Sequence, residues 1–204
     1  MPTDRPRAAI VLTGGRSERF GDADKVFATL DGQPLVAHVL DRLTGVVDGV
    51  VVSCRPDQGP RLRAVLDGDV ALCPDPVPGR GPVAGVASAV RAIDAPYTAV
   101  VAADNPLVDP VVVDTLFELA AGRPGAVPRV DGRLQSTQAV YDTAALRTAA
   151  RTALDADGAF QTVVETLDPH IVDAAALDGA PATFRDVDTS SDLATLTDDG
   201  SGEP

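Results

Sequence analysis

The sequence predicts an α/β protein, three layers deep around a mostly parallel sheet. Two observations predict it. Short runs that are apolar at every position recur along the chain, as strands buried on both faces require. Segments with apolar residues at helical spacing separate them, and strand–helix alternation is the mark of βαβ units. Connections stay short and no repeat is present, so a single domain over residues 1–197 is expected, followed by a disordered tail over 198–204.

Ala8 to Leu12 is the first apolar run, and Gly14-Gly15 follows it. Pro34 suits a first helical turn, and Leu35, Val36, Val39, Leu40 and Leu43 continue at helical spacing. A second β-rich run covers Gly49 to Ser53, Arg61 to Leu66 reads as a short helix, and Val70-Ala71-Leu72 as a third strand. Gly81-Pro82 opens a small-residue helix over Val83 to Ile93, and Thr98 to Ala102 is a fourth strand ending before Asp104. Pro110 starts a helix over Val111 to Ala121. Strands are then expected near Gly125-Ala126-Val127 and Gln138 to Tyr141, and helices over Ala144 to Leu154 and Phe160 to Leu167. The less regular second half predicts an antiparallel strand or two at the sheet edge.

At 204 residues, folding should bury roughly 70% of the unfolded surface, enough for an independent core. The formal charge of −13 argues against nucleic acid, whose phosphates demand a basic surface. No apolar stretch is long enough to span a membrane, and no signal peptide is visible, so a cytoplasmic location is expected. The two cysteines, Cys54 and Cys73, lack metal-ligand spacing and read as plain thiols compatible with a reducing compartment. The acidity is spread along the chain, is richer in Asp than Glu, and accompanies only 3% aromatics. This composition resembles that of halophilic proteomes, and a GC-biased codon usage would produce the same bias.

Arginine supplies 16 of the 17 basic side chains, and the lone lysine is Lys25. It closes the run Leu12-Thr13-Gly14-Gly15-Arg16-Ser17-Glu18-Arg19-Phe20-Gly21-Asp22-Ala23-Asp24-Lys25 directly after a strand. Adjacent glycines let backbone amides approach a phosphate, and Arg16, Arg19 and Lys25 supply charge for a polyphosphate. The spacing matches neither a Walker A loop nor a GxGxxG fingerprint. Asp104, at a strand's carboxyl end, suits a Mg²⁺ ion that takes one or two carboxylates plus phosphate oxygens. The alternative is that it caps the turn before Pro106.

Two further segments carry both a functional and a structural reading. In Gly81-Pro82-Val83-Ala84-Gly85, with Asp75 upstream, small residues allow close approach to a base or sugar, or tight helix–sheet packing. In Asp186-Val187-Asp188-Thr189-Ser190-Ser191-Asp192, the two alternating aspartates share one side of an extended segment and could face a metal. The same stretch contains Thr189-x-x-Asp192, a capping-box pattern.

The order of these motifs resembles that of the molybdenum cofactor guanylyltransferase family, whose opening motif is commonly L-A-G-G-x-S-x-R-[FM]-G-x-D-K. Residues 12–25 follow it with Thr13 for Ala and one extra residue before Asp24-Lys25. The resemblance implies a Rossmann-like nucleotidyltransferase fold and transfer of GMP from GTP to a terminal phosphate on molybdopterin. It places Leu12, Gly14 and Gly15 at the guanine and ribose phosphate, Lys25 with Arg19 at the phosphates, and Asp104 on magnesium. Ser53, Asp75, Gly81 and Gly85 would line the nucleotide, with Asp186 and Asp188 beside the site; Asp188 is the expected second metal ligand, and Asp186 is the alternative. Residues 134–141 would form the acceptor side. It further implies contact with other proteins of molybdenum cofactor synthesis. Ser53 replaces an Asn, Ala103 a Cys, and Asp157-Gly158-Ala159-Phe160 a basic Gly-x-Arg stretch. A cytidylyltransferase, a guanylyltransferase acting on phospholactate or cobinamide, or a nucleotide-binding protein without turnover are the alternatives.

Overall fold

The computed structural model describes residues 6–14, 24–66, 68, 70–75, 77, 79–179 and 183–200. In chain order, β1 (Arg7–Leu12) is followed by a 3₁₀ turn (Lys25–Phe27) and a small hairpin, β2 (Thr29–Leu30) with β3 (Gln33–Pro34). Then come α1 (Leu35–Leu43), β4 (Gly49–Cys54), α2 (Gly59–Val65), β5 (Ala71–Pro74), α3 (Pro82–Ala89) and β6 (Tyr97–Ala102). The second half holds α4 (Pro110–Ala120), β7 (Gly125–Val130), β8 (Arg133–Leu134), β9 (Gln138–Asp142), α5 (Thr143–Asp155), α6 (Phe160–Leu167), β10 (His170–Asp173) and α7 (Ser190–Gly200).

The main sheet runs β10-β7-β9-β6-β1-β4-β5, with β8 attached to β7. β1 lies inside it, parallel to β4 on one side and β6 on the other. Its residues Ala9, Ile10 and Val11 are fully buried, which explains why the run shows no polar alternation. Ala9 and Val11 face a core closed by Val36, Val39 and Leu43 of α1, Leu62 of α2 and Leu116 and Phe117 of α4. Ala8 and Ile10 face the opposite core, closed by Val83 and Val86 of α3, Leu146 and Ala150 of α5 and Val163 of α6. These are the three expected layers, around a mostly parallel sheet.

One expectation changes. Of the two antiparallel strands, the short β8 is attached to β7 off the main strand order, but β9 sits inside the sheet, antiparallel to both β6 and β7. β10 covers the outer side of β7 in parallel register. Burial on both flanks suits β9, whose Ala139, Val140 and Tyr141 are all within 2% of full burial. The reversal matters for function. It brings the first residue of β9, Gln138, to the edge where β1, β4 and β6 end.

The segment before α7 is held by Val187, fully buried against Leu30, Leu35 and Leu196. Burying such a side chain is worth about 1.5–3 kcal/mol. The last helix is Ser190–Gly200, and residues 201–204 lie outside those described. Among the described residues, no helix is long and apolar enough to cross a membrane. Cys54 and Cys73 are free and belong to opposite faces of the sheet, so their thiols are separated by it. Burial raises the Cys54 thiol to about 11, the neighbouring Cys73 adding to the effect.

Candidate active site

The site forms where the parallel strands end, the position that open α/β sheets offer to ligands. β1 runs into Thr13 and Gly14. Thr13 N donates to Ser53 O at 2.9 Å, and Ala103 N donates to Leu12 O at 3.0 Å, so the ends of β4, β1 and β6 stay in register beyond the ladder. Gly14 is exposed, and no described residue lies within 4 Å of the place where a Cβ would stand. Gly15, Arg16 and Arg19 lie outside the described residues.

Lys25 re-enters at the start of the 3₁₀ turn. That turn is anchored by buried Val26 and Phe27, with the Arg61 guanidinium 4.2 Å above the Phe27 ring. From this base the Lys25 ammonium lies 2.5 Å from Asp104 Oδ2 and 3.0 Å from Asp188 Oδ1. Desolvation works to lower the lysine's pKa, but the charges and hydrogen bonds of Asp104 and Asp188 outweigh it and hold the ammonium above its ordinary range. It stays protonated at any physiological pH.

Asp104 follows β6 by two residues. Its backbone carbonyl accepts from Val187 N at 2.8 Å, which ties the Asp186–Asp188 segment to it. Asn105, fully buried, donates through Nδ2 to Thr183 O, and Asp109 N donates to Thr183 Oγ1 at 3.2 Å. With Val187 turned into the small core, its two neighbours turn the other way. Asp186 accepts from Gln138 Nε2 at 3.0 Å, and Asp188 meets Lys25. Asp186 is exposed, yet desolvation, then the charges of Asp104 and Asp188, raise its carboxyl to about 6. The capping reading of the same stretch also holds: Asp192 Oδ2 accepts from Thr189 N at 2.7 Å, and Asp192 N donates to Thr189 Oγ1 at 3.2 Å. One short segment therefore carries both roles.

The carboxylates fit a hard divalent cation. Asp104 Oδ1 is buried without a hydrogen-bond partner among the described residues, an acceptor left open next to an oxygen already held by Lys25. No group of three or more His, Cys, Asp or Glu among the described residues gathers closely enough to hold a metal alone. A cation at Asp104 would complete its shell with water and phosphate oxygens, the habit of Mg²⁺.

The other expected residues sit around the β4 and β5 exits. Asp75, 7% exposed, receives Val77 N at 2.9 Å on Oδ1, and its own amide donates to Cys54 O at 2.7 Å. Gly81 precedes α3 with φ +68°, a conformation that favours glycine, and has open space at its Cβ position. Gly85 is different. A Cβ there would fall 2.6 Å from Ser53 Oγ and 3.3 Å from Leu12 Cδ2. Ser53 is itself only 2% exposed. Gly85, Ser53 and Leu12 thus make the close helix–sheet contact that the packing alternative expects.

Two polar residues that sequence reasoning did not single out, Arg55 and Gln58, complete the arrangement. Arg55 Nη2 and Gln58 Nε2 donate to Asp24 Oδ2 at 2.6 and 2.8 Å. Gln58 Nε2 also donates to Thr13 O at 2.9 Å, and Gln58 Oε1 accepts from Arg55 N at 2.8 Å. The available signal was the carboxylate preceding the lone lysine.

The chain matches the family model described as MobA-like NTP transferase domain over residues 9–172. A probable molybdenum cofactor guanylyltransferase from Natronomonas pharaonis is 42% identical over 192 residues, covering 92% of this chain and 95% of the relative. One of the same description from Haloferax mediterranei is 34% identical over 198 residues, covering 95% and 94%. Among solved structures, molybdopterin-guanine dinucleotide biosynthesis protein A from Archaeoglobus fulgidus superposes with a TM-score of 0.77 at 24% identity, covering 95% of this chain and 98% of that one. A 4-diphosphocytidyl-2C-methyl-D-erythritol synthase from Anaerococcus prevotii reaches 0.74 at 10% identity, covering 97% of each. Both solved structures share the fold, and the two relatives that match over nearly the whole chain are described as probable molybdenum cofactor guanylyltransferases. The chain belongs to the MobA-like NTP transferase family of nucleotidyltransferases.

Proposed function

We propose that this protein transfers GMP from GTP to the terminal phosphate of molybdopterin and releases pyrophosphate. The observation that carries the reading is the Lys25 ammonium beside Asp104 at the strand ends, in a chain whose full-length relatives bear the guanylyltransferase description. An oxygen of the acceptor phosphate attacks the α-phosphorus of GTP in line. A new P–O bond forms, the bond from the α-phosphorus to the bridging oxygen of the β-phosphate breaks, and its electron pair leaves with pyrophosphate. The attacking phosphate is already ionised, so no side chain need act as general base, and positioning with charge neutralisation dominates.

In this reading Lys25 exchanges its carboxylate partners for the phosphates and offsets charge building on the leaving pyrophosphate. Arg16 and Arg19, ahead of it in sequence, add cationic charge, while Leu12, Gly14 and Gly15 lie against the guanine and ribose phosphate. Asp75 and Gly81 border the nucleotide from the β5 side. Asp104, with Asp188, would hold Mg²⁺, which when bound supplies positive charge to the nonbridging phosphate oxygens. Gln138 orients Asp186 on the acceptor side. A cytoplasmic location is part of the same proposal. There it would receive its acceptor from, and pass its product to, other proteins of molybdenum cofactor synthesis.

The test is pyrophosphate release from GTP and from CTP, each with and without molybdopterin. Release with GTP that depends on molybdopterin is expected. Equal or faster release with CTP would transfer the chain to the cytidylyl class, and GTP binding without any release would make it a nucleotide-binding protein without turnover.

A further inference from the structure

Asp24 and Lys25 are adjacent in sequence and are fixed to opposite neighbours of β1. Asp24 Oδ2 is held by Arg55 and Gln58, beyond the end of β4. The Lys25 ammonium reaches Asp104, beyond the end of β6. Since β4 and β6 flank β1 in the sheet, this pair of residues straddles the strand that launches the glycine loop. Gln58 is 1% exposed and its polar atoms are all engaged: Nε2 serves both Thr13 O and Asp24 Oδ2, while Oε1 receives Arg55 N and lies 3.1 Å from Thr13 Oγ1. It therefore joins the residue just before the glycine pair to the residue just before the lysine. A buried amide with this many partners fixes geometry, because leaving any one unpaired costs its desolvation.

We propose that Asp24, gripped by Arg55 and Gln58, is a positioning residue that aims the Lys25 ammonium at the nucleotide phosphates. A lysine stem has four rotatable bonds and aims poorly on its own. Only its Cα can be fixed by the backbone, and here that Cα follows directly on the Asp24 anchor. The Asp24 carbonyl also accepts from Phe27 N at 3.0 Å, closing the 3₁₀ turn, so the side-chain anchor and the turn act on the same peptide. Arg55 is partly open to solvent through its side chain and pairs with Asp57 as well, but the Asp24 contact is its shorter one.

This inference rests on the phosphate role of Lys25, and one set of titrations separates the two. GTP affinity is measured calorimetrically without acceptor, in the wild type, Lys25→Ala, Asp24→Ala and the double variant. Lys25→Ala is expected to weaken GTP binding by about tenfold or more, the scale of one lost charge-assisted contact. Asp24→Ala should weaken it by about as much in the wild-type background, and by less than about twofold once Lys25 is gone, because residues acting through one contact are not additive. Asp24→Asn keeps an oxygen for Arg55 and Gln58 and should recover most of the affinity. If Asp24→Ala does not fold, Arg55→Met loosens the same grip and should show the same dependence on Lys25. A full additional loss in the Lys25→Ala background would overturn the positioning role, leaving only a structural one. Unchanged GTP affinity in Lys25→Ala would overturn the phosphate role beneath it.

Discussion

The ammonium of Lys25 lies 2.5 Å from Asp104 Oδ2, while the other oxygen of that carboxylate is buried with no partner among the described residues. One side chain thus carries a satisfied acceptor and an open one. Lys25 also meets Asp188, but Asp188 is half exposed and Asp104 is not. The inner contact is the one that solvent screens less.

Asp104→Ala is expected to lower turnover by about 10² or more, the scale seen when a preorganised electrostatic group is removed. The fold should persist, because the carbonyl of residue 104 can still accept from Val187 N. Circular dichroism checks the fold and pyrophosphate release checks the turnover. Turnover near wild type would remove Asp104 from the reaction.

Asp186 makes a pH prediction. Its folded-state pKa of about 6 lies above its ordinary value, so between roughly pH 4 and 6 the folded state binds more protons than the unfolded. Stability from this group is therefore fully present below the unfolded pKa and is lost as pH rises through 6. Asp186→Asn retains an oxygen for Gln138 and abolishes the ionisation. The variant-minus-wild-type difference in Tm should be smallest near pH 4, grow toward pH 6 and then level off. A difference independent of pH would contradict the assignment.

Gly85 separates packing from ligand approach. With Ser53 Oγ 2.6 Å from the place of an added Cβ, Gly85→Ala should cost about 1–3 kcal/mol, the usual penalty of overpacking. Ser53→Ala in the same chain removes that oxygen and should recover part of the loss. Urea denaturation reads both. A Gly85→Ala protein of wild-type stability would contradict the packing role of this glycine.

The layers of the fold were legible because doubly buried strands such as Ala8 to Leu12 and Thr98 to Ala102 are apolar without alternation. The place of β9 was not. Its apolar residues fit an interior or an edge strand alike, and the direction of a strand leaves no mark in its composition. Within the site, Lys25 and Asp104 stood out because one is the only lysine and the other ends a strong strand. Arg55 and Gln58 did not, since polar residues after a strand read as an ordinary turn until their partner Asp24 is seen 31 and 34 residues away. For Ser53 and Gly85, small residues serve close packing and ligand approach equally well in one dimension, and the packing became visible only from the 2.6 Å between Ser53 Oγ and the place of a Gly85 Cβ.

The central claim is that Lys25 acts on the phosphates of GTP as a compact cation. Its direct test is single-turnover formation of the molybdopterin–GMP product from labelled GTP in wild type, Lys25→Ala and Lys25→Arg. Arginine keeps the charge but spreads it over a larger planar fork, in a space bounded by carboxylates at 2.5 and 3.0 Å. Both variants are expected to fall by about 10² or more relative to wild type, arginine nearly as far as alanine. Product formation at the wild-type rate in Lys25→Ala would contradict the claim outright, and an active Lys25→Arg enzyme would contradict the requirement for a compact ammonium.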